Sequence, residues 1–351
     1  MSTTRGRVGG TPAVIALTTA FGLIGAAPAS AHERWFVDET PAADWSFVAQ
    51  PLALGALVAV VLVTISWRAV AVRFRTPELP PLRPFGRLVP YIPRLLGIHL
   101  GVSLLALAAR AEFLSPALPI ADVPGGPVLA LLEGAVGVWL ITGVQLRWAA
   151  LVVIALGPAL WGGAGAVALL ENAALVGIAA FLVVLPPSDA PLGRVELDRA
   201  AIGRALLPLR VGAAISLVSL AFSEKFTNPD MARATLTAHP QLDVFAMVAL
   251  DVPVDVFVVI AGAVEVLFGL LVLSGAAPQV VVLVTAVPFN LTLLIFGATE
   301  LVGHLPVYGI LLALLVYGSE PATAPLVRAL PRLRARRRLD VLPVTTSAQA
   351  R

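Results

Sequence analysis

Two carboxylates sit in apolar runs with matching surroundings, Glu133 in LEGAVGVWLITG (132–143) and Glu265 in VEVLFGLLVLSG (264–275). Laid over one another without gaps, the two stretches also set Gly137 on Gly269, Thr142 on Ser274 and Gly143 on Gly275. A carboxylate inside an apolar helix is costly unless it is protonated, paired or in use, so both are candidates for ligand or proton chemistry. The glycine four residues later lies on the same helical face and lets a neighbouring helix or a ligand come close. A plain helix fastener satisfies the same pattern, and the pattern alone does not separate the two readings.

Around Glu265 the second half of the chain gathers Ser223, Glu224, Lys225, Asn228, Asn290, Thr292, Glu300 and His304. The first half offers Arg110, Glu112, Glu171 and Asn172, and in the same register Asn172 falls on His304 and Gly177 on Gly309. With no histidine opposite His304, the halves have diverged, and the second is the stronger candidate for a working site. The ligand-binding candidates are therefore Glu265, Lys225, His304, Glu224, Asn290 and Glu300, with Glu133 as the first-half counterpart. Inward side chains of facing helices build the site of a helical bundle, so Glu265, Lys225 and His304 are expected to line one pocket. A Lys225–Glu265 ion pair would lower the cost of placing a carboxylate in hydrocarbon.

Other chemistries find little support. The chain has no cysteine, which excludes disulfide exchange, thiolate metal sites and thioether-bound haem, so any redox step needs a bound cofactor or another subunit. His99 belongs near one membrane face and His304 near the other, which argues against a haem with two axial histidines. His239 falls in a polar loop, TAHPQLD. His32 is a weak copper candidate if it becomes a free N-terminus, because imidazole and amine nitrogens suit copper. No phosphate loop, nucleophile elbow or HExxH motif occurs.

The elements that must position these residues follow from composition. Of 351 residues, 58% are hydrophobic and 13% charged, and the mean hydropathy is +0.92, far from a soluble domain. The reading is an all-α integral membrane protein. Arginines in short connections, and not a nucleic-acid face, account for the pI near 9.9. Residues 1–31 carry Arg5 and Arg7, an apolar core and Ala29-Ser30-Ala31, the pattern of a cleaved signal peptide. Residues 32–93 hold an extracytoplasmic segment rich in acidic and aromatic residues, a leading span at 47–66 and a basic, proline-broken loop. Four spans are expected in 94–186 (95–109, 128–143, 148–163, 166–185) and four in 211–318 (211–222, 254–274, 280–297, 301–317). A basic linker, 187–210, joins these two tandem four-helix bundles, and a basic tail, 319–351, closes the chain. Arginines concentrate in alternate connections, which places the mature N-terminus outside a plasma membrane and the C-terminus in the cytoplasm after nine spans. Two copies with an even number of spans enter from the same side and are related about the membrane normal.

The order SLAFSEKFTNP (219–229), AGAVEVLFGLLVLSG (261–275) and PFNLTLLIFGATELVGHLPVYGILL (288–312) resembles the DoxX-like family of small bacterial membrane proteins, with a fainter copy over 94–185. The resemblance implies a four-helix membrane bundle associated with redox systems. One relative, DoxD, is a subunit of a thiosulfate:quinone oxidoreductase. A quinone as ligand and redox subunits as partners, beside the lipid bilayer, are what this likeness implies. A membrane transporter and a non-catalytic scaffold are the alternative functions. Two bundles, a leading helix and a signal segment depart from the usual family pattern.

Overall fold

A computed structural model describes residues 43–329 apart from 117, 186–193 and 195–197. The expected signal peptide, His32 and the tail arginines from Arg332 to Arg338 lie outside the described residues. All the regular elements described are helical. After a short helical turn at Trp45–Val48, the first long helix, α1 (Pro51–Ala71), begins on a proline at its first turn and is apolar all round. A 3₁₀ stretch, Pro80–Tyr91, leads into α2 (Ile92–Ala109), followed by α3 (Gly126–Thr142), α4 (Leu146–Glu171) and α5 (Ala173–Val184). The second half contains α6 (Arg199–Ala221), a π-helical turn (Phe222–Phe226), a short α7 (Pro229–Ala238), α8 (Val254–Ser274), α9 (Pro278–Phe296), α10 (Ala298–Ser319) and α11 (Ala324–Arg328).

Six of these segments are long and apolar enough to cross a bilayer: Pro51–Ala71, Pro80–Ala109, Arg199–Phe226, Val254–Ser274, Pro278–Phe296 and Glu300–Ser319. The chain is a multi-pass membrane protein. The remaining expected spans take other forms. Gly143, left-handed at φ 81°, ends α3 after 17 residues, and Gly165 at φ 83° splits α4 into Leu146–Gly162 and Gly165–Glu171. Gly165–Glu171 then joins Ala173–Val184 through a 58° bend. The expected linker 187–210 also differs, because α6 already begins at Arg199, with Asp198 capping it through the Ala200 and Ala201 amides.

The register that lays Glu133 on Glu265 extends to the backbone. Gly143 and Gly275 are both left-handed, as are the non-glycine pair Gln145 and Ala277 and the breaks at Gly165 and Gly297. The halves are not two separate bundles. Each first helix packs on the fourth helix of the other half, α6 on α5 and α2 on α10, so α2, α5, α6 and α10 form a shared centre. Glycines permit this closeness. A Cβ on Gly177 would stand 2.7 Å from the Pro208 carbonyl oxygen and 3.1 Å from the Gly212 Cα. Gly177→Ala is therefore expected to destabilise the folded protein by about 1–3 kcal/mol, since backbone on both sides resists moving. Gly55→Ala, with open space around it, should be neutral or slightly stabilising. Thermal unfolding in detergent checks the pair, and equal effects would contradict this packing.

Two arginines placed by sequence in loop-type positions hold helix ends instead. Arg94 donates to the carbonyls of Leu140 (3.0 Å) and Ile141 at the end of α3. Arg210, 2% exposed, donates from Nε to Leu273 (3.0 Å) at the end of α8, and from Nη1 to Val327 (2.9 Å) and Ala329 (2.8 Å). The last carbonyls of a helix lack internal donors, and a cation there also meets the negative end of the helix dipole.

Candidate functional site

The sequence SEKFTN produces the site's first part. At the end of α6 the backbone widens into the π-turn Phe222–Phe226, a form that tends to occur at functional positions. Two side chains just beyond it close the wide turn: Thr227 Oγ1 donates to the Phe222 carbonyl (2.9 Å), and Asn228 Nδ2 to the Ser223 carbonyl (2.6 Å). The turn keeps Ser223, Glu224 and Lys225 all buried, although they are consecutive.

Lys225 Nζ lies 2.9 Å from Glu265 Oε1 and 3.9 Å from Glu224 Oε2. The ammonium thus sits between two carboxylates. Glu265 is a third exposed, while Glu224 is almost fully buried. On α10, His304 Nδ1 is 3.0 Å from Glu300 Oε1, one helical turn back, and the ring meets Phe289 edge-on with centroids 4.8 Å apart. On the first-half side, Glu171 Oε1 accepts from Ser223 Oγ (2.5 Å), and the Glu171 carbonyl accepts from Ser216 Oγ.

Of these groups, Glu171, Ser216, Glu224 and His304 line a cleft of ≈ 50 Å³. Its polar lining comes from Ser115, Glu171, Asn172, Ser216, Glu224 and His304. The volume suits a few water molecules or one edge of a small polar group. The cleft lies where the halves meet: Glu171, Asn172, Ala174 and Leu175 line it from one side, and the residues matching them in register, Gly303, His304, Pro306 and Val307, from the other. It is therefore shared between the halves, whereas the sequence favoured a pocket in the second half.

The sequence-derived candidates separate into groups. His304 and Glu224 line the cleft, Glu300 stands behind His304, and Lys225 and Glu265 form a pair behind Glu224 without lining it. Asn290 is exposed on α9, and its amide donates to the Ala286 carbonyl of its own helix (2.7 Å). Glu133, fully buried, accepts the Leu114 N–H through Oε1 (3.0 Å), which ties the loop after α2 to α3. The matched carboxylates thus have different partners, a backbone amide for Glu133 and an ammonium for Glu265. In the same loop burial pushes the Glu112 carboxyl up to about 7, against the pull of Arg110 at 3.2 Å.

His99 Nδ1 sits 2.8 Å from the Leu95 carbonyl, and its ring lies against Gly309 on α10. His239 packs edge-on against Phe296. Among the described residues no group of three or more His, Asp or Glu side chains is placed to hold a metal ion. Ser115, Ser216 and the part played by Glu171 were missed from sequence. A signal existed, since the register that pairs Asn172 with His304 puts Glu171 beside the same position. No protein-family model matches the chain, and no curated protein or solved structure is similar to it.

Proposed function

We propose that the chain is a duplicated DoxX-like protein of the bacterial plasma membrane, with nine spans, its mature N-terminus outside and its C-terminus in the cytoplasm. It serves as a membrane subunit of a quinone-linked redox assembly, and the cleft between the halves takes the carbonyl edge of a quinone head group. One observation carries this reading: His304, Glu224 and Glu171 come together around a small buried cleft at the contact of the two halves. The matched left-handed residues support the duplication.

In this reading His304, steadied by Glu300, hydrogen-bonds a quinone carbonyl. Glu224 exchanges protons with the more exposed Glu265 beside Lys225. Reduction of a quinone to a quinol consumes two electrons and two protons. The electrons come from a donor subunit or its cofactor, since the chain has no thiol of its own. Protons reach the carbonyl oxygens through His304 and Glu224, groups suited to general acid–base work.

The position of the cleft between two parallel copies also favours a permease, in which one copy rocks against the other. Purification in mild detergent separates these readings: a co-purifying quinone and electron-donor subunit are expected for the redox subunit. Substrate flux in vesicles with neither would favour the permease, and absence of all three a scaffold. Reporter fusions after Arg204 and after Arg351 should both report cytoplasm, and either one reporting the outside contradicts the nine-span arrangement.

A further inference from the structure

Among the described residues, helix α1 packs on the second half. It packs on α8, and its buried residues Ala53 and Val60, with Ala56 and Leu57, share one apolar cluster with Val259, Ala263, Val266, Leu267 and Leu270 of α8 and Val218 and Ala221 of α6. In the register of Glu133 on Glu265, the five α8 residues correspond to Pro127, Leu131, Gly134, Ala135 and Val138 on α3. All five line an open groove of ≈ 570 Å³ between α2 and α3, together with Leu105 and Ala108 of α2. Matched positions thus differ in cover. Leu131 is 76% exposed where Ala263 is 9% exposed, and Val138 is 48% exposed.

We propose that this groove receives a membrane-spanning helix of a separate protein, built like α1. The occupied groove of the second half defines what fits. Lipid tails are as apolar as a helix, so close backbone packing on small residues decides between them, and Ala130, Gly134 and Ala135 supply such a surface. The ends define the chemistry further. Arg68 of α1 donates to the Ser274 carbonyl (2.5 Å), and Trp67 Nε1 to the Ala276 carbonyl (3.1 Å), at the C-terminus of α8. Thr142 holds the position of Ser274 in α3. The partner helix is therefore an apolar span of about 20 residues with alanine or glycine on one face and an arginine or lysine in its last turn.

The inference rests on the two-copy reading and is tested apart from it. The chain has no cysteine, so Leu131→Cys introduces a single thiol. The probe is a synthetic peptide of residues 45–75 with cysteine in place of Leu57, added to the full-length protein in nanodiscs under mild oxidation. Disulfide yield at Leu131→Cys should exceed by at least fivefold the yield at Leu294→Cys, a thiol on the lipid-facing side of α9. It should exceed by as much the yield with a scrambled peptide. Adding Ala135→Phe, or separately Val138→Phe, at exposed positions in the groove should remove the excess while leaving the protein folded. Equal yields at Leu131→Cys and Leu294→Cys, or an excess indifferent to both blocking substitutions, overturn the proposal and leave the groove to lipid. Fusions that report the nine-span topology beside equal yields would reject this inference alone.

Discussion

Arg210→Ala should lower the stability of the folded protein by about 3 kcal/mol or more, the largest effect expected of any single substitution away from the cleft. The side chain is 2% exposed and holds three separate carbonyls, those of Leu273, Val327 and Ala329. Its loss leaves the Leu273 carbonyl in the last turn of α8 without its side-chain donor, and Ala329 and Val327 without their anchor to α6. Arg210→Lys should recover only part of the loss, because one ammonium cannot span carbonyls that a planar guanidinium reaches together. Arg94→Ala should cost about half as much, since Arg94 is more exposed and serves the Leu140 and Ile141 carbonyls of a single helix end. Denaturant or thermal unfolding in one detergent, followed by helical circular dichroism, orders the three variants. A smaller loss for Arg210→Ala than for Arg94→Ala would contradict this account of the helix ends.

The second large effect is on ligand binding. In the cleft, His304 on α10 and Glu224 on the π-turn are the second half's titratable groups facing a bound carbonyl edge, with Glu171 of the first half beside them. His304→Gln keeps a polar side chain of moderate size but removes the ring nitrogen held by Glu300 and the edge contact with Phe289. Glu224→Gln keeps shape and removes the carboxylate that Lys225 and the cleft share. Each should weaken quinone binding by about tenfold, equivalent to about 1.4 kcal/mol, while folded yield stays near that of the unaltered protein. Glu133→Gln keeps an oxygen that can accept the Leu114 N–H, so both binding and yield should change little.

Sequence and structure agree most closely where a physical rule acts locally. The span 254–274 coincides with α8 because its apolar run is bounded by Pro253 and by Gly275, which takes the left-handed cap. An ion pair between Lys225 and Glu265 was legible too, since a carboxylate at membrane depth needs a partner and a lysine stood one helix away. Other features depend on packing that no local pattern carries. Arg94 and Arg210 look like loop arginines until the helix ends they reach are placed beside them. Glu171 looks like a helix-end carboxylate until the 58° bend after it turns the chain and α5 comes to rest on α6. The shared centre of α2, α5, α6 and α10 follows from tertiary contact between glycines distant in the sequence, Gly177 and Gly212 among them.

The most direct measurement of the central claim is equilibrium binding of a short-chain benzoquinone to the full-length protein in nanodiscs, followed by quenching of its tryptophan fluorescence. The unaltered protein should bind saturably. His304→Gln and Glu224→Gln should each shift the midpoint upward by about tenfold, with Glu133→Gln superimposable on the unaltered curve. No saturation, or equal shifts for all three variants at equal folded content, would contradict a quinone site in the cleft.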